Sequence, residues 1–533
     1  MKKLGVAILA LIVILAAFLR IWKLDMVPAS LNWDEVDAGY NAFTVANWGI
    51  DEWGNKFPLV FQSFYDDKHP VHIYITTVFV KLFGLSDFTM RLPSAIFGAL
   101  GVLIIFYLTK YLFKKDLPAY FAAIFLAISP YHLQFSRGLW EVNFAFFFFI
   151  LGIMFFYLGK NKNAWYFPLS FLGFGLSLYS YHSSKIVVPP MIIVLSVLYF
   201  KDFTKNIKAF AVSILVLAIF IVGLVINPRL LGFARAEQNK FPDEKIRATD
   251  LYQKTGNQYL GTLEIVAGNY IKYFSPDYLF INGDQNPRNS VKVFGEFYKI
   301  DALLITLGLI FMIIKPRKEW LVLFAWIALA PVPGALSGFT PNAARGLFMM
   351  GSLQIVASYG LYSIVNLFRK NIVKSVIVIL VSVPLIWEFS SYLSYYYKEY
   401  GKKDAIEWQY GMKQIALYVK DHPYIDKVYM TKERQQPYIF ILNYLEYPVY
   451  KYLKTVQYDE SQSKSYNVAK SFGKFQFSEW NSVDSYPAPY VLYVLTPSQY
   501  DGLRYRSMFD VKELVKYPDG TNAYFLVEGG YNE

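Results

Sequence analysis

The chain has 533 residues, of which 55% are hydrophobic and only 17% charged, with a net charge of +12 and no cysteine. A mean hydropathy of +0.29 excludes an ordinary soluble domain; the missing cysteine excludes a disulfide frame, thiolate catalysis and a Cys-ligated metal. The positive excess in such a chain points to basic cytoplasmic loops and anionic lipid, not to nucleic acid, and no nucleic-acid motif is present.

In chain order, Lys2 and Lys3 precede an apolar run from Leu4 to Leu19 with no small-residue cleavage site, which reads as an uncleaved first span. Further apolar runs fall near 92–112, 118–130, 142–158, 164–180, 186–200, 207–227, 299–314, 320–334, 346–367 and 372–390. With 4–22 they make eleven expected transmembrane helices. Segment 70–84 is apolar but shorter. If it does not cross, Lys114-Lys115, Lys160 with Lys162, Lys201 to Lys208, Lys315 to Lys318 and Arg369-Lys370 all fall on the same side as Lys2 and Lys3. It is therefore expected to be an interfacial helix.

This topology leaves 23–91, 131–141, 181–185, 228–298, 335–345 and 391–533 outside. Segment 228–298 carries Pro228, Pro242, Pro276 and Pro287 and reads as a folded lid. The tail reads differently. Asp404 to Asp421 has the spacing of an amphipathic helix, Lys427–Thr431 and Tyr490–Leu495 read as strands, and Gln436–Leu445 as a second helix. The expected fold is a polytopic α-helical membrane protein, with a membrane domain over 1–397 and a small soluble α/β domain over 398–533.

The chemistry is expected in the outer segments. Asn32-Trp33-Asp34-Glu35-Val36-Asp37 puts three carboxylates just past the first span. Partial desolvation there sharpens a carboxylate as a base or metal ligand, although Asn32 with acids behind it also reads as a capped helix start. Asp67, beside Asp66 and before Lys68 and His69, and Glu141, near Asn143, add carboxylates on the same side. Together they suggest general-base work or a divalent cation; Glu141, Asp67 and His69 are the candidate metal or supporting residues, without tight ligand spacing. Arg91, Arg137, Lys185 and Arg345 are cations on the outer side, against the positive-inside trend, and call for an anionic partner such as a phosphate at headgroup depth; snorkelling is the plain alternative for each alone. Trp33, Trp48, Trp53, Tyr65 and Tyr74 read mainly as interface anchors, with sugar stacking as the alternative.

The order of Arg20, Asp34-Glu35 with Tyr40, Asp67-Lys68-His69-Pro70, Phe83-Gly84, Arg91-Leu92-Pro93-Ser94, Ser129-Pro130, Ser136-Arg137 with Glu141, Lys185, and Pro341 to Arg345 resembles the GT-C glycosyltransferases that use a lipid-phosphate sugar donor. It is most similar to the protein O-mannosyltransferase and aminoarabinose-transferase group, over roughly residues 5–390. The resemblance implies Asp34 as catalytic base with Glu35 beside it. It implies Lys68, Arg91, Arg137, Lys185 and Arg345 as ligands of the donor phosphate. Two positions depart from the group's pattern: His69 stands where Pro is usual, and Glu141 where Asp is frequent.

The reading implied is an inverting glycosyltransferase of the plasma membrane, multi-pass, with its site and tail extracytoplasmic. A polyprenyl-phosphate-linked monosaccharide would be the donor and a hydroxyl of a protein, lipid or glycan the acceptor. Transfer of a whole oligosaccharide is the nearest alternative. A lipid or sugar transporter is the alternative of another class; nearly charge-free spans and the lack of repeated halves speak against it.

Overall fold

The computed structural model describes residues 3–64, 66–232, 239–459, 468–478 and 487–530. Lys2, Tyr65 and Glu533 lie outside the described residues. The chain divides into two compact units, Met1–Trp22 with Ser94–Tyr395, and Lys23–Pro93 with Tyr396–Glu533. In this division the first outer loop shares a unit with the tail.

The first unit is helical. Its early helices are α1 (Lys3–Ile21), α4 from Ser94 onward (whole helix Asp87–Phe113), α5 (Asp116–Ile128), α6 (Pro130–Ser136), α7 (Glu141–Asn161), α8 (Tyr166–Leu178) and α9 (Ser184–Leu198). Among the described residues five helices are long and apolar enough to cross a membrane: α1, α4, α7, Ile207–Ile226 and Asn371–Lys403. The pair Ala343–Met349 and Ser352–Leu367, bent by 45°, makes a sixth if it is one span. The other expected spans are helical but short. A 13-residue helix such as α5 rises about 20 Å, against roughly 30 Å of hydrocarbon, because Ser129-Pro130 starts a new helix. Helix length thus supports five or six crossings where eleven were expected.

Small residues let α7 and α8 approach closely. A Cβ on Gly173 would lie 3.0 Å from the backbone nitrogen of Gly152. Ser170 and Ser177 donate to the carbonyls of Gly152 at 2.7 Å and Ala145 at 2.8 Å. Such pairing suits an apolar medium, where helices gain from close packing and from satisfied hydroxyls.

The second unit is built on a seven-stranded sheet. Its strands are β3 (Lys427–Thr431), β4 (Gln457–Tyr458), β5 (Ala469–Phe472), β6 (Phe475–Ser478), β7 (Val491–Leu495), β8 (Phe509–Lys516) and β9 (Asn522–Gly529), in the order β4-β5-β6-β3-β7-β9-β8. Central β3 is parallel to both β6 and β7, and all five residues of β7 are buried, as a covered parallel strand requires. The expected tail helices are present as Met412–Asp421 and Pro437–Tyr444.

Onto this frame the first outer loop adds α2 (Trp33–Trp48), a hairpin of β1 (Phe61–Ser63) and β2 (Asp66–Lys68), and α3 (Pro70–Phe83). The loop is tied to the tail within the unit: the Trp33 amide donates to Gln409 Oε1 at 2.9 Å, and the Tyr40 hydroxyl to the Tyr447 carbonyl at 2.7 Å. Gly39 admits Met90 against α2, since a Cβ there would sit 1.9 Å from the Met90 methyl.

Candidate functional site

Helix α2 starts where the sequence says it should. Asn32 Oδ1 accepts from the amides of Asp34 at 2.9 Å and Glu35 at 3.2 Å, and Glu35 Oε2 accepts from the Asn32 amide at 3.1 Å. This reciprocal box satisfies the orphan donors of the first turn. It also separates the two adjacent acids. Successive helical residues point about 100° apart, so one turns inward and the other outward.

Glu35 turns inward. Arg91 grips it from Nε to Oε1 at 2.8 Å and from Nη2 to Oε2 at 2.9 Å, with both side chains fully buried. The rest of the guanidinium is spent on the loop backbone. Nη1 donates to Leu24 and Pro28 carbonyls, each at 3.1 Å, and Nη2 to the Ser30 carbonyl at 2.6 Å. All five N–H groups of Arg91 are engaged, so none is left for a donor phosphate. Arg91 is a clamp that fixes the loop under α2.

Asp34 faces outward. Its carboxylate is 29% exposed and pairs with Lys68 Nζ at 2.8 Å. Lys68 ends β2 and is only 11% exposed, so the hairpin delivers a half-sheltered ammonium to the one accessible acid of the pair.

Behind this pair lies a buried acidic group. Asp37, one helical turn after Asp34, is fully buried, as are Asp51 and Glu52. Burial pushes the Asp37 carboxyl up to about 8; Lys68 and the Ser63 hydroxyl pull the other way, while Asp34 and Asp51 add to the rise. Burial, then the charges of Asp37 and Asp51, pushes Glu52 well up too. Asn41 bridges the two acids, donating from Nδ2 to Asp37 Oδ1 at 3.3 Å and accepting the Glu52 amide at 2.9 Å. Burial and the Lys68 charge hold His72 down to about 3, so it is a neutral wall of the group. The i, i+3 spacing of Asp34 and Asp37 is the signal that could have found this layer; Glu52 and Ser63 gave none.

Asp67 lies in β2 opposite Gln62 and is 4% exposed, and His69 precedes α3 and is 1% exposed. Glu141 opens α7 in the first unit, two residues before Asn143, which donates to the Ser94 carbonyl at 2.9 Å and hydroxyl at 3.0 Å. Among the described residues no group of three or more His, Cys, Asp or Glu is set to hold a metal ion.

The remaining expected phosphate ligands lie in the first unit. Arg137 is buried and donates to the carbonyls of Leu19 at 2.8 Å and Arg20 at 3.1 Å. It thus braces the end of α1. Arg20 in turn reaches the Ala127 carbonyl at 3.1 Å and His132 Nδ1 at 2.8 Å. Lys185 and Arg345 do come together. They line one pocket of about 250 Å³ with Tyr181, His182 and Asn239. Asn342 caps the short helix that carries Arg345, accepting its amide at 3.0 Å, and Arg345 Nη2 donates to Asn239 Oδ1 at 2.8 Å. Two cations, an imidazole and an amide around one small cavity make a site for an oxyanion. The outer aromatics mostly pack: Trp53 stacks on Tyr458 at 5.1 Å and donates to the Gln62 carbonyl, and the Tyr74 hydroxyl donates to the Pro58 carbonyl.

A sequence model of the family described as dolichyl-phosphate-mannose-protein mannosyltransferase matches residues 67–226. The fold is similar to that of ArnT from Cupriavidus metallidurans in its apo state, with a TM-score of 0.57 at 13% identity, covering 98% of each chain. The chain has the fold of ArnT. The same ArnT bound to undecaprenyl phosphate is similar over 99% of this chain, at a TM-score of 0.57 and 12% identity, and over 98% of that chain. The Archaeoglobus fulgidus oligosaccharyltransferase in its apo form is similar at a TM-score of 0.53 and 13% identity; the match covers 83% of this chain and 64% of that one, so the chain spans under two thirds of its length. No curated protein matches the sequence. The fold and the apolar helices together are those of a polytopic membrane protein.

Proposed function

We propose that the protein is an inverting glycosyltransferase that moves a monosaccharide from a polyprenyl-phosphate donor to an acceptor hydroxyl on the outer face of the plasma membrane. The observation that carries this reading is the division of labour at Asp34-Glu35. Glu35 is consumed by the Arg91 clamp, whereas Asp34 is accessible and held by Lys68 at 2.8 Å. Asp34 is then the base. It takes the acceptor proton as the oxygen attacks the anomeric carbon, and the bond to the lipid phosphate breaks with its electron pair on the phosphate oxygen.

Charge grows on that leaving phosphate, so fixed cations stabilise the transition state more than the bound donor. Lys185 and Arg345 in their shared pocket are the proposed phosphate ligands, with Lys68 the cation beside the base. Arg137 and Arg91 act by holding backbone in place. The undecaprenyl phosphate bound by ArnT supports a polyprenyl phosphate as the lipid part of the donor. Oligosaccharide transfer remains a second reading, favoured by the likeness to the archaeal oligosaccharyltransferase.

Lipid extraction of the purified protein, followed by mass spectrometry, tests the donor. A single sugar on a polyprenyl monophosphate supports the proposal. A polyprenyl diphosphate or a lipid carrying several sugars favours oligosaccharide transfer. Apolar lipids alone, after loading with total envelope lipid, would count against both.

A further inference from the structure

The second unit contains a cavity of about 410 Å³ that the transfer chemistry does not use. Its size lies within the range of small-molecule sites, roughly 300–1,000 Å³. Four lysines line it, Lys23, Lys398, Lys402 and Lys413, against two aspartates, Asp25 and Asp87. Lys413 pairs with Asp87 at 2.8 Å. The lining as a whole carries two more positive than negative charges, and the rings of Tyr397 and Tyr410 add aromatic surface.

Chain order ties this cavity to a membrane edge. Lys23 stands two residues past Ile21, the last residue of α1. Lys398 and Lys402 stand in the last two turns of the apolar helix Asn371–Lys403. Both helices are long and apolar enough to cross a membrane. Lysines gathered where such helices end lie at headgroup depth, and a compact ammonium suits a phosphate approached from several directions. The group cannot be explained as a cytoplasmic topology signal either, because α1 begins at Lys3 on the opposite end of the same helix.

We propose that this cavity is a second anion site, one that seats a phosphate-bearing headgroup at the membrane edge. The phosphate meets Lys23, Lys398 and Lys402, while Asp87 keeps Lys413 as a wall. The phosphate has two possible sources, a phosphorylated glycan, such as an acceptor would present, or an anionic phospholipid. The site is independent of the assignment of Asp34, since binding is read without turnover.

The test uses the full chain in nanodiscs of phosphatidylcholine, with or without phosphatidylglycerol, and native mass spectrometry of the lipids that stay bound. A parallel titration adds hexose 1-phosphate to phosphatidylcholine nanodiscs. The variant is Lys23→Gln with Lys398→Gln and Lys402→Gln; Lys451→Gln with Lys454→Gln, two exposed lysines elsewhere in the unit, is the control. Retention of phosphatidylglycerol by wild type and control, lost roughly tenfold or more in the triple variant, supports the site with phospholipid as its source. Hexose 1-phosphate binding with the same dependence supports it with a phosphorylated glycan as the source. Added salt should release either ligand from the wild type, a readout that needs no variant. Equal retention by wild type and triple variant, or retention indifferent to salt, would overturn the proposal.

Discussion

Replacing Arg91 tests the clamp. Arg91→Ala leaves the fully buried Glu35 side chain without its partner, and deprives the carbonyls of Leu24, Pro28 and Ser30 of their donors. Removing one member of a buried ion pair costs about 3–5 kcal/mol. The second unit has about 200 residues, a size at which each kcal/mol moves Tm by roughly 2–4 °C, so the expected fall is roughly 6–20 °C. Arg91→Lys keeps the charge but supplies three donors for five acceptors and should cost less, about 1–3 kcal/mol. The assay is thermal unfolding read by tryptophan fluorescence. Trp408 is buried with the Arg91 guanidinium 5.6 Å from its ring centre, and so reports on this region. Donor affinity of the folded fraction at low temperature should be close to that of the wild type. If Arg91→Ala melts like the wild type yet loses donor binding, the guanidinium is a phosphate ligand after all and the clamp is refuted.

The buried acids predict a pH dependence. Asp37 has its folded pKa raised from 3.8 to about 8, so the folded state holds a proton that the unfolded chain releases near pH 4. Its favourable contribution is complete at low pH and is lost as pH rises from about 4 to 8, by up to roughly 4–6 kcal/mol. Asp37→Asn should flatten the fall in Tm between pH 5 and pH 8; parallel profiles for variant and wild type would contradict the assignment. Arg345→Ala should weaken donor use roughly ten- to hundredfold, with Arg345→Lys recovering only part, because Lys lacks the guanidinium fork. Donor affinity unchanged in the Ala variant would remove Arg345 from the site. Topology tags after Lys115, Lys162 and Lys318 should report cytoplasm, and tags near Asn282 and after Glu533 the outside; a tail on the inner face would remove the proposed outer site.

The start of α2 was legible because Asn32, Asp34 and Glu35 are local signals, and a cap acts within one turn. The roles of the two acids were not. Glu35 is decided by Arg91, 56 residues on, and no local pattern separates a carboxylate turned inward from its neighbour turned outward. The same limit hid the ties between the first loop and the tail. Trp33 meets Gln409 and Tyr40 meets Tyr447 across nearly 400 residues of chain, a long-range packing choice that hydropathy cannot register. The tail was read well because β7 and the helix at 412–421 carry complete periodic patterns. Eleven spans are not confirmed by helix length, because apolar composition measures affinity for lipid, not helix length; Ser129-Pro130 and the bend near Gly351 divide runs that look continuous. Arg345 and Lys185 stood out as outer cations, but their meeting in one pocket with Asn239 is a tertiary fact.

The central claim is that Asp34, not Glu35, takes the acceptor proton. Asp34→Asn keeps the shape and the first-turn position but cannot accept a proton at neutral pH. The decisive measurement is single-turnover sugar transfer from the lipid-linked donor that co-purifies, run beside donor binding for Asp34→Asn and Glu35→Gln. The account predicts that Asp34→Asn binds donor normally and transfers about 10²–10⁴-fold more slowly, while Glu35→Gln loses stability through its Arg91 partner and keeps most of its rate per folded molecule. Near-normal transfer by Asp34→Asn, with Glu35→Gln folded and inactive, would contradict it.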